Sequence, residues 1–274
     1  MNENVMDTAP FEEYAESGAI VRVEGLSKTF TLSRKQQKIE RTTLARKVAV
    51  NGLSFSAYRG EIFGLLGPNG AGKTTTLRIL STLIKPDAGE AFVCGHSVIR
   101  EPHKVRDSIG FLTSELKLEG FFTPDYLFDF FGAMHGVDKD TLAQRKGELF
   151  ARFGIDRFAE VRVKDLSTGM LQKVSLVICM VHDPDVLIFD EPTNGLDVIT
   201  AKVVTDFLLE LKRMGKSVLL STHIFSLVEK LCDRVGIIID GKMAASGTLD
   251  ELTAGDSIEN KFFNIYRAVK GEEV

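Results

Sequence analysis

No apolar run in the 274 residues approaches the roughly 18 consecutive positions that a membrane-spanning helix needs, so any contact with a bilayer is expected through a partner or a surface patch. The N-terminus has neither the basic start nor the apolar stretch of a secretory leader. Cysteine is scarce: Cys94, Cys179 and Cys232 are odd in number, widely spaced and set in apolar contexts. That pattern excludes a disulfide framework and suits reduced core residues in a cytosolic protein. The five histidines form no zinc-like pairing with cysteine, which leaves magnesium accompanying a nucleotide as the one metal expected. Basic excess is also missing, with 34 lysines and arginines against 38 acids and a net charge of -4, so no nucleic-acid partner is expected. Internal repeats and low-complexity segments are absent. What remains is 44% hydrophobic and 26% charged, enough for one large domain or two small ones.

Residues 1–18 carry Glu3, Asp7, Glu12, Glu13 and Glu16 with no lysine or arginine, which predicts a mobile acidic tail. Alternation begins at Ile20-Val21-Arg22-Val23, the start of an edge sheet. Residues 31–47 then gather Arg34, Lys35, Lys38, Arg41, Arg46 and Lys47 against Glu40. This stretch reads as a solvated loop or, alternatively, as a contact for anionic lipid headgroups or a partner. Strand-like residues 48–50, 52–57 and 90–95, with a turn at 85–89, complete a small β subdomain. From Thr123 to about Met180 the pattern is helical, opened by Thr123-Pro124-Asp125. Its aromatics Phe121, Phe122, Tyr126, Phe128, Phe130 and Phe131 are expected to be mostly core, some of them facing a partner helix. Strands at 186–189, 217–220 and 235–239 alternate with helices near 200–213 and 224–232, as in a parallel sheet covered on both faces. Residues 253–274, with Phe262, Phe263, Ile265 and Tyr266, are expected to form a docked C-terminal helix.

Between the apolar run 62–66 and the helical spacing of 74–80 stand Gly67, Pro68, Asn69, Gly70, Ala71, Gly72, Lys73, Thr74 and Thr75. They match the phosphate-binding loop G-x-x-x-x-G-K-[ST] in the strand-to-helix context that it requires. Glycines let the backbone approach a phosphate and turn its N–H groups inward at the helix start, where the dipole favours an anion. Lys73 is then expected to reach the β- and γ-phosphates, and the Thr74 hydroxyl to hold magnesium. An apolar strand ends in Asp190 and Glu191. As a pair they read either as helix-capping acids or, downstream of such a loop, as a magnesium ligand (Asp190) and a general base that polarises a water (Glu191). His223, at another strand end, is by itself an ordinary structural histidine; beside the loop and the acids it can contact the γ-phosphate and orient that water. Residues 165–173 add a second glycine-bearing turn before a helix, with Ser167 and Gly169.

The order of these motifs resembles the ATP-binding subunits of ABC transporters over roughly residues 19–252. The resemblance implies an α/β P-loop NTPase core with a parallel sheet, a small antiparallel β subdomain and a helical subdomain at about 115–180. Leu166-Ser167-Thr168-Gly169-Met170 is similar to the signature LSGGQ, departing at Thr168 and Met170. By resemblance Ser167 and Gly169 bind the γ-phosphate of ATP held by a second, identical subunit, head to tail. Asp197 matches the loop that links the two sites, His223 the switch histidine, and Phe30 the ring placed against adenine, which read alone is simply a core aromatic. The family's glutamine before the helical subdomain is replaced by Ser114, so Glu115 or a water must bridge there. ATP, Mg²⁺, a separate transmembrane permease and a place on the cytoplasmic face of the membrane are implied. The segment 63–70 and the Ser-Thr-Gly-Met signature look like bacterial sodium and drug exporters, with importer subunits and soluble mechanical-switch ATPases acting on ribosomes or DNA as alternatives. Those switches carry paired ATPase domains or a long coiled-coil insertion, neither of which is seen here.

Overall fold

The computed structural model describes residues 18–39, 42–113 and 118–271. The acidic tail and the Ser114–Glu115 position therefore fall outside the described residues, apart from Gly18. The first half is β-rich: β1 (Ala19–Thr31), α1 (Arg34–Ile39), β2 (Arg46–Tyr58), β3 (Ile62–Leu66), α2 (Lys73–Leu80), β4 (Ala88–Val93), β5 (His96–Ser97), α3 (Pro102–Ser108) and β6 (Ile109–Thr113). Three helices follow, α4 (Pro124–Met134), α5 (Lys139–Phe153) and α6 (Thr168–Ile178). The chain then alternates through β7 (Val186–Asp190), α7 (Val198–Arg213), β8 (Ser217–Thr222), α8 (Phe225–Leu231), β9 (Arg234–Ile239) and β10 (Lys242–Thr248), ending in α9 (Leu249–Thr253) and α10 (Ile258–Lys270).

Two sheets result. A four-stranded antiparallel sheet runs β2-β1-β4-β5, and a six-stranded sheet runs β10-β9-β3-β8-β7-β6, parallel except for β10. Strands β3, β7 and β8 are buried at every position, which explains their unbroken apolar runs. Alternate residues serve opposite faces. Ile62, Leu66, Leu187 and Phe189 pack toward the helices, with Phe128 and Phe207. Phe63, Leu65, Val186 and Ile188 pack toward the antiparallel sheet, with Val21, Leu53 and Leu77. Among the described residues, no helix is long and apolar enough to cross a membrane.

Two expectations are corrected. The basic stretch is more than a loop: α1 forms because Arg, Lys and Gln favour helix and residues 31–47 contain no glycine or proline. Its base is closed by the Leu32 N–H bonded to the Ala45 carbonyl at 2.9 Å. The aromatics near α4 are not mostly core. Phe128 alone of the six is fully buried, while Phe121, Tyr126 and Phe130 are 63%, 48% and 46% exposed. The reason is spacing: Tyr126 and Phe130 share one outer face of α4 with rings 6.1 Å apart, and half-buried Phe122, just before the helix, stacks on Tyr126 at 4.5 Å, whereas Leu127 and Phe128 face inward.

A histidine pair ties the helices to the sheet. His182, after α6, donates Nε2–H to the Ile109 carbonyl at 2.9 Å, and its ring stacks on His135 at the end of α4, 3.9 Å away. Burial pushes His182 down to about 4, helped by His135 and by Arg145 of α5, against Asp107 of α3. His135 is lowered too, chiefly by burial. A histidine whose folded pKa lies below its unfolded value of about 6.5 leaves the protein fully stable above that value. Stability is then lost as pH falls from 6.5 toward 4, by ~2 kcal/mol for His182 after discounting for solvent screening. Thermal unfolding measured between those limits is expected to show a steeper acid loss in the wild type than in His182→Phe, which keeps the stack. Identical pH slopes would remove His182 from the cause.

Candidate functional site

The strand order β9-β3-β8-β7 brings the ends of three parallel strands to one edge. There the phosphate-loop candidate follows β3, Thr222-His223 closes β8, and Asp190-Glu191 closes β7. The loop needs its glycines. A Cβ on Gly67 would sit 2.3 Å from the Ile238 carbonyl oxygen, and Gly72, at φ +105°, would meet the Ala49 carbonyl oxygen at 2.3 Å. Gly72 is also the N-cap of α2 and provides no side-chain acceptor, so the first-turn N–H groups of α2 remain available to an anion.

Lys73 is 4% exposed. Its ammonium donates to the Gly67 and Pro68 carbonyls at 2.6 and 3.2 Å and lies 3.2 Å from Glu191 Oε1. Thr74 Oγ1 donates to Asp190 Oδ1 at 2.9 Å. The other Glu191 oxygen, Oε2, is 3.0 Å from His223 Nδ1. Glu191 itself adopts φ +50°, a left-handed conformation costly for a residue with a Cβ and typical of functional turns. Ser221 was missed from sequence. Paired in register with Asp190, its hydroxyl donates to Asp190 Oδ1 at 2.6 Å and accepts the Glu191 N–H at 3.0 Å, clamping both acids. Only the parallel pairing of β7 with β8 reveals it.

A cleft of about 290 Å³ opens over this edge. It is lined by Asn69, Gly70, Gly72, Lys73, Thr74 and Thr75, by Glu191, by Phe30, Lys47 and Ala49 of the antiparallel sheet, and by Leu32 just after β1. Of the loop residues, Gly67, Pro68 and Ala71 do not line it; the Pro68 carbonyl accepts the Ala71 N–H at 3.2 Å and shapes the turn. Leu32, Lys47 and Ala49 were also missed: Lys47 is set by its pairing with Phe30, Ala49 by the approach of β2 to Gly72, and Leu32 by its bond to the Ala45 carbonyl.

Three predicted site residues stand elsewhere. Ser167 caps α6, accepting the Met170 N–H at 3.3 Å, and Gly169 faces the Thr200 hydroxyl, 3.6 Å from where a Cβ would be. Asp197 caps α7, accepting from the N–H groups of Ile199 and Thr200 at 2.9 and 3.0 Å and from Thr200 Oγ1 at 2.7 Å. Those bonds, from Thr200 first, hold its carboxyl below the usual range. None of the three lines the cleft of its own chain.

Residues 50–194 match the family model described as ABC transporter. The chain is 37% identical over 213 residues to the ABC transporter ATP-binding protein NatA of Bacillus subtilis, covering 77% of this chain and 87% of that protein. It is 36% identical over 236 residues to the Nod factor export ATP-binding protein I of Ralstonia nicotianae, covering 86% and 69%. Among solved structures, an ATP-binding subunit of an ABC transporter superposes with a TM-score of 0.77 at 26% identity, over 90% of this chain and 99% of that one. A dimeric ATP-binding cassette bound to ADP and Pi matches in fold, with a TM-score of 0.71 at 23% identity, over 84% and 98%. The phosphate-loop geometry, the two-sheet fold and these likenesses agree: the chain belongs to the ABC transporter ATP-binding family and is an ATP-binding, ATP-hydrolysing subunit of that kind.

Proposed function

We propose that this subunit powers export through a separate membrane protein, acting as a head-to-tail pair of identical chains on the cytoplasmic face. The observation that carries the reading is the single edge on which Lys73, Glu191 and His223 meet beside Thr74 and Asp190. Lys73 binds the terminal phosphates, exchanging its carbonyl and carboxylate partners for phosphate oxygens. Glu191 takes the proton of the attacking water as general base, and His223 holds the carboxylate and the γ-phosphate in place. A hydroxyl beside a carboxylate, at a site that also receives phosphate oxygens, suits the hard Mg²⁺ ion; Thr74 and Asp190 would hold it, where it supplies charge neutralisation.

Pairing is supported by what the isolated chain leaves uncovered. Ser167 and Gly169 lie outside their own cleft, free to complete the γ-phosphate site of a second copy. Next to Asp197, Val198 and Ile199 are 87% and 80% exposed, apolar residues that a partner would cover. The exposed face of Phe121, Tyr126 and Phe130 suits a helix of the membrane subunit. Export is favoured by similar proteins named for Nod factor export and daunorubicin resistance. The test is gentle detergent extraction from native membranes, purification through this chain and mass spectrometry. A multi-span membrane protein in stoichiometric amount is expected. Recovery only in the soluble fraction with ribosomal or DNA-associated proteins would overturn the transport reading.

A further inference from the structure

Among the described basic residues of 34–47, Lys47, in β2, lines the nucleotide cleft. Lys47 is paired directly across from Phe30 in the antiparallel ladder, and residues opposite one another in such a pair share a face. Both line the cleft, as does Ala49, which stands between Val48 and Val50 where the β1–β2 register shifts. The Ala49 carbonyl abuts Gly72 so closely that no Cβ fits between them, which anchors β2 against the phosphate loop. Lys47 thus stands two residues along β2 from the loop contact and across from Phe30, between the ring and the phosphate loop.

We propose that Lys47 is a further nucleotide-binding residue whose ammonium contacts the α-phosphate of the bound nucleotide. The proposal rests on the ATP-binding reading of the cleft. A nucleotide with its base on Phe30 and its terminal phosphates in the loop has its ribose and α-phosphate between the two, beside Lys47. Of those two groups the α-phosphate alone is charged, which matches a lysine. Because ADP and ATP share that phosphate, the contact strengthens both alike and does not change between ground state and transition state. It acts on affinity and leaves the chemical step untouched.

The experiment compares MgADP and MgATP binding by titration calorimetry, with steady-state turnover, for wild type, Lys47→Ala, Lys47→Arg and Lys38→Ala. Lys38 is an exposed residue of α1 outside the cleft and controls for loss of basic charge in general. Lys47→Ala is expected to weaken both nucleotides about tenfold and to raise KM for ATP by a similar factor with kcat unchanged. Lys47→Arg restores binding, and Lys38→Ala matches the wild type. Unaltered affinity in Lys47→Ala, or a loss confined to ATP, would overturn the contact. An equal loss in Lys38→Ala would reduce it to general charge and overturn it as well. A wild type that binds neither nucleotide would overturn the ATP reading itself, whereas a binding wild type with an unaffected Lys47→Ala overturns this contact alone.

Discussion

Lys73→Ala is expected to leave no ATP turnover above background, a fall in kcat/KM of at least about a thousandfold. The ammonium is almost fully buried, and its three oxygen partners hold it at the start of α2, where the phosphates arrive. Among the described residues, Lys47 is the one other lysine lining the cleft, and it stands on β2 across from Phe30, away from Glu191. Truncation also leaves Glu191 without its cation in a site that is only 14% exposed, so the carboxylate itself repels incoming phosphate. Lys73→Met, which preserves the stem's volume, separates this effect from misfolding: its thermal midpoint should stay close to that of wild type while turnover remains absent. Turnover near the wild-type rate in a folded Lys73→Met protein would overturn the assignment of the cleft.

Glu191→Gln is expected to have an opposite profile, with nucleotide affinity held within a few-fold and hydrolysis lowered by about a hundred- to ten-thousandfold. The amide keeps the shape and the approach to Lys73 and His223, and the strained φ of +50° remains held by the Ser221 hydroxyl. What is lost is a site to accept the water's proton. With ATP bound and not consumed, the paired state should accumulate, read as a dimer in size-exclusion chromatography with light scattering and collapsing to monomer when ATP is replaced by ADP. Retained hydrolysis would remove Glu191 as the base. Absence of an ATP-dependent dimer would count against the head-to-tail pair.

How much was legible depended on how local each signal is. The phosphate loop could be read because a strand, a glycine turn and a helix succeed one another within about twenty residues, and the acid pair because two charges end an apolar strand. Ser221 could not, since nothing in Leu220-Ser221-Thr222 distinguishes an ordinary buried serine from one that bonds the Asp190 carboxylate and the Glu191 N–H until β7 and β8 are aligned. The ring face of α4 was misread for a related reason. Crowding of six aromatics is a composition signal, whereas exposure depends on which side of the helix meets α6 and the core. Local propensity also carried more than the charge pattern in α1, where helix-forming side chains overrode the look of a solvated loop.

By itself, then, the sequence determined the chemistry available: a glycine loop with a lysine and a threonine, an acid pair after a buried strand, a second capped turn, and the order of strands and helices. These are contiguous patterns, and hydrophobic periodicity and backbone sterics act over a few residues. Tertiary structure alone decided which of those groups meet. The parallel register set Ser221 against Asp190, the antiparallel register set Lys47 opposite Phe30, and the strand order gathered three chain-distant loops at one edge while leaving Ser167, Gly169 and Asp197 outside the cleft. Pairing between distant strands is governed by burial of the whole sheet on both faces, an energy shared over many residues that no short stretch contains.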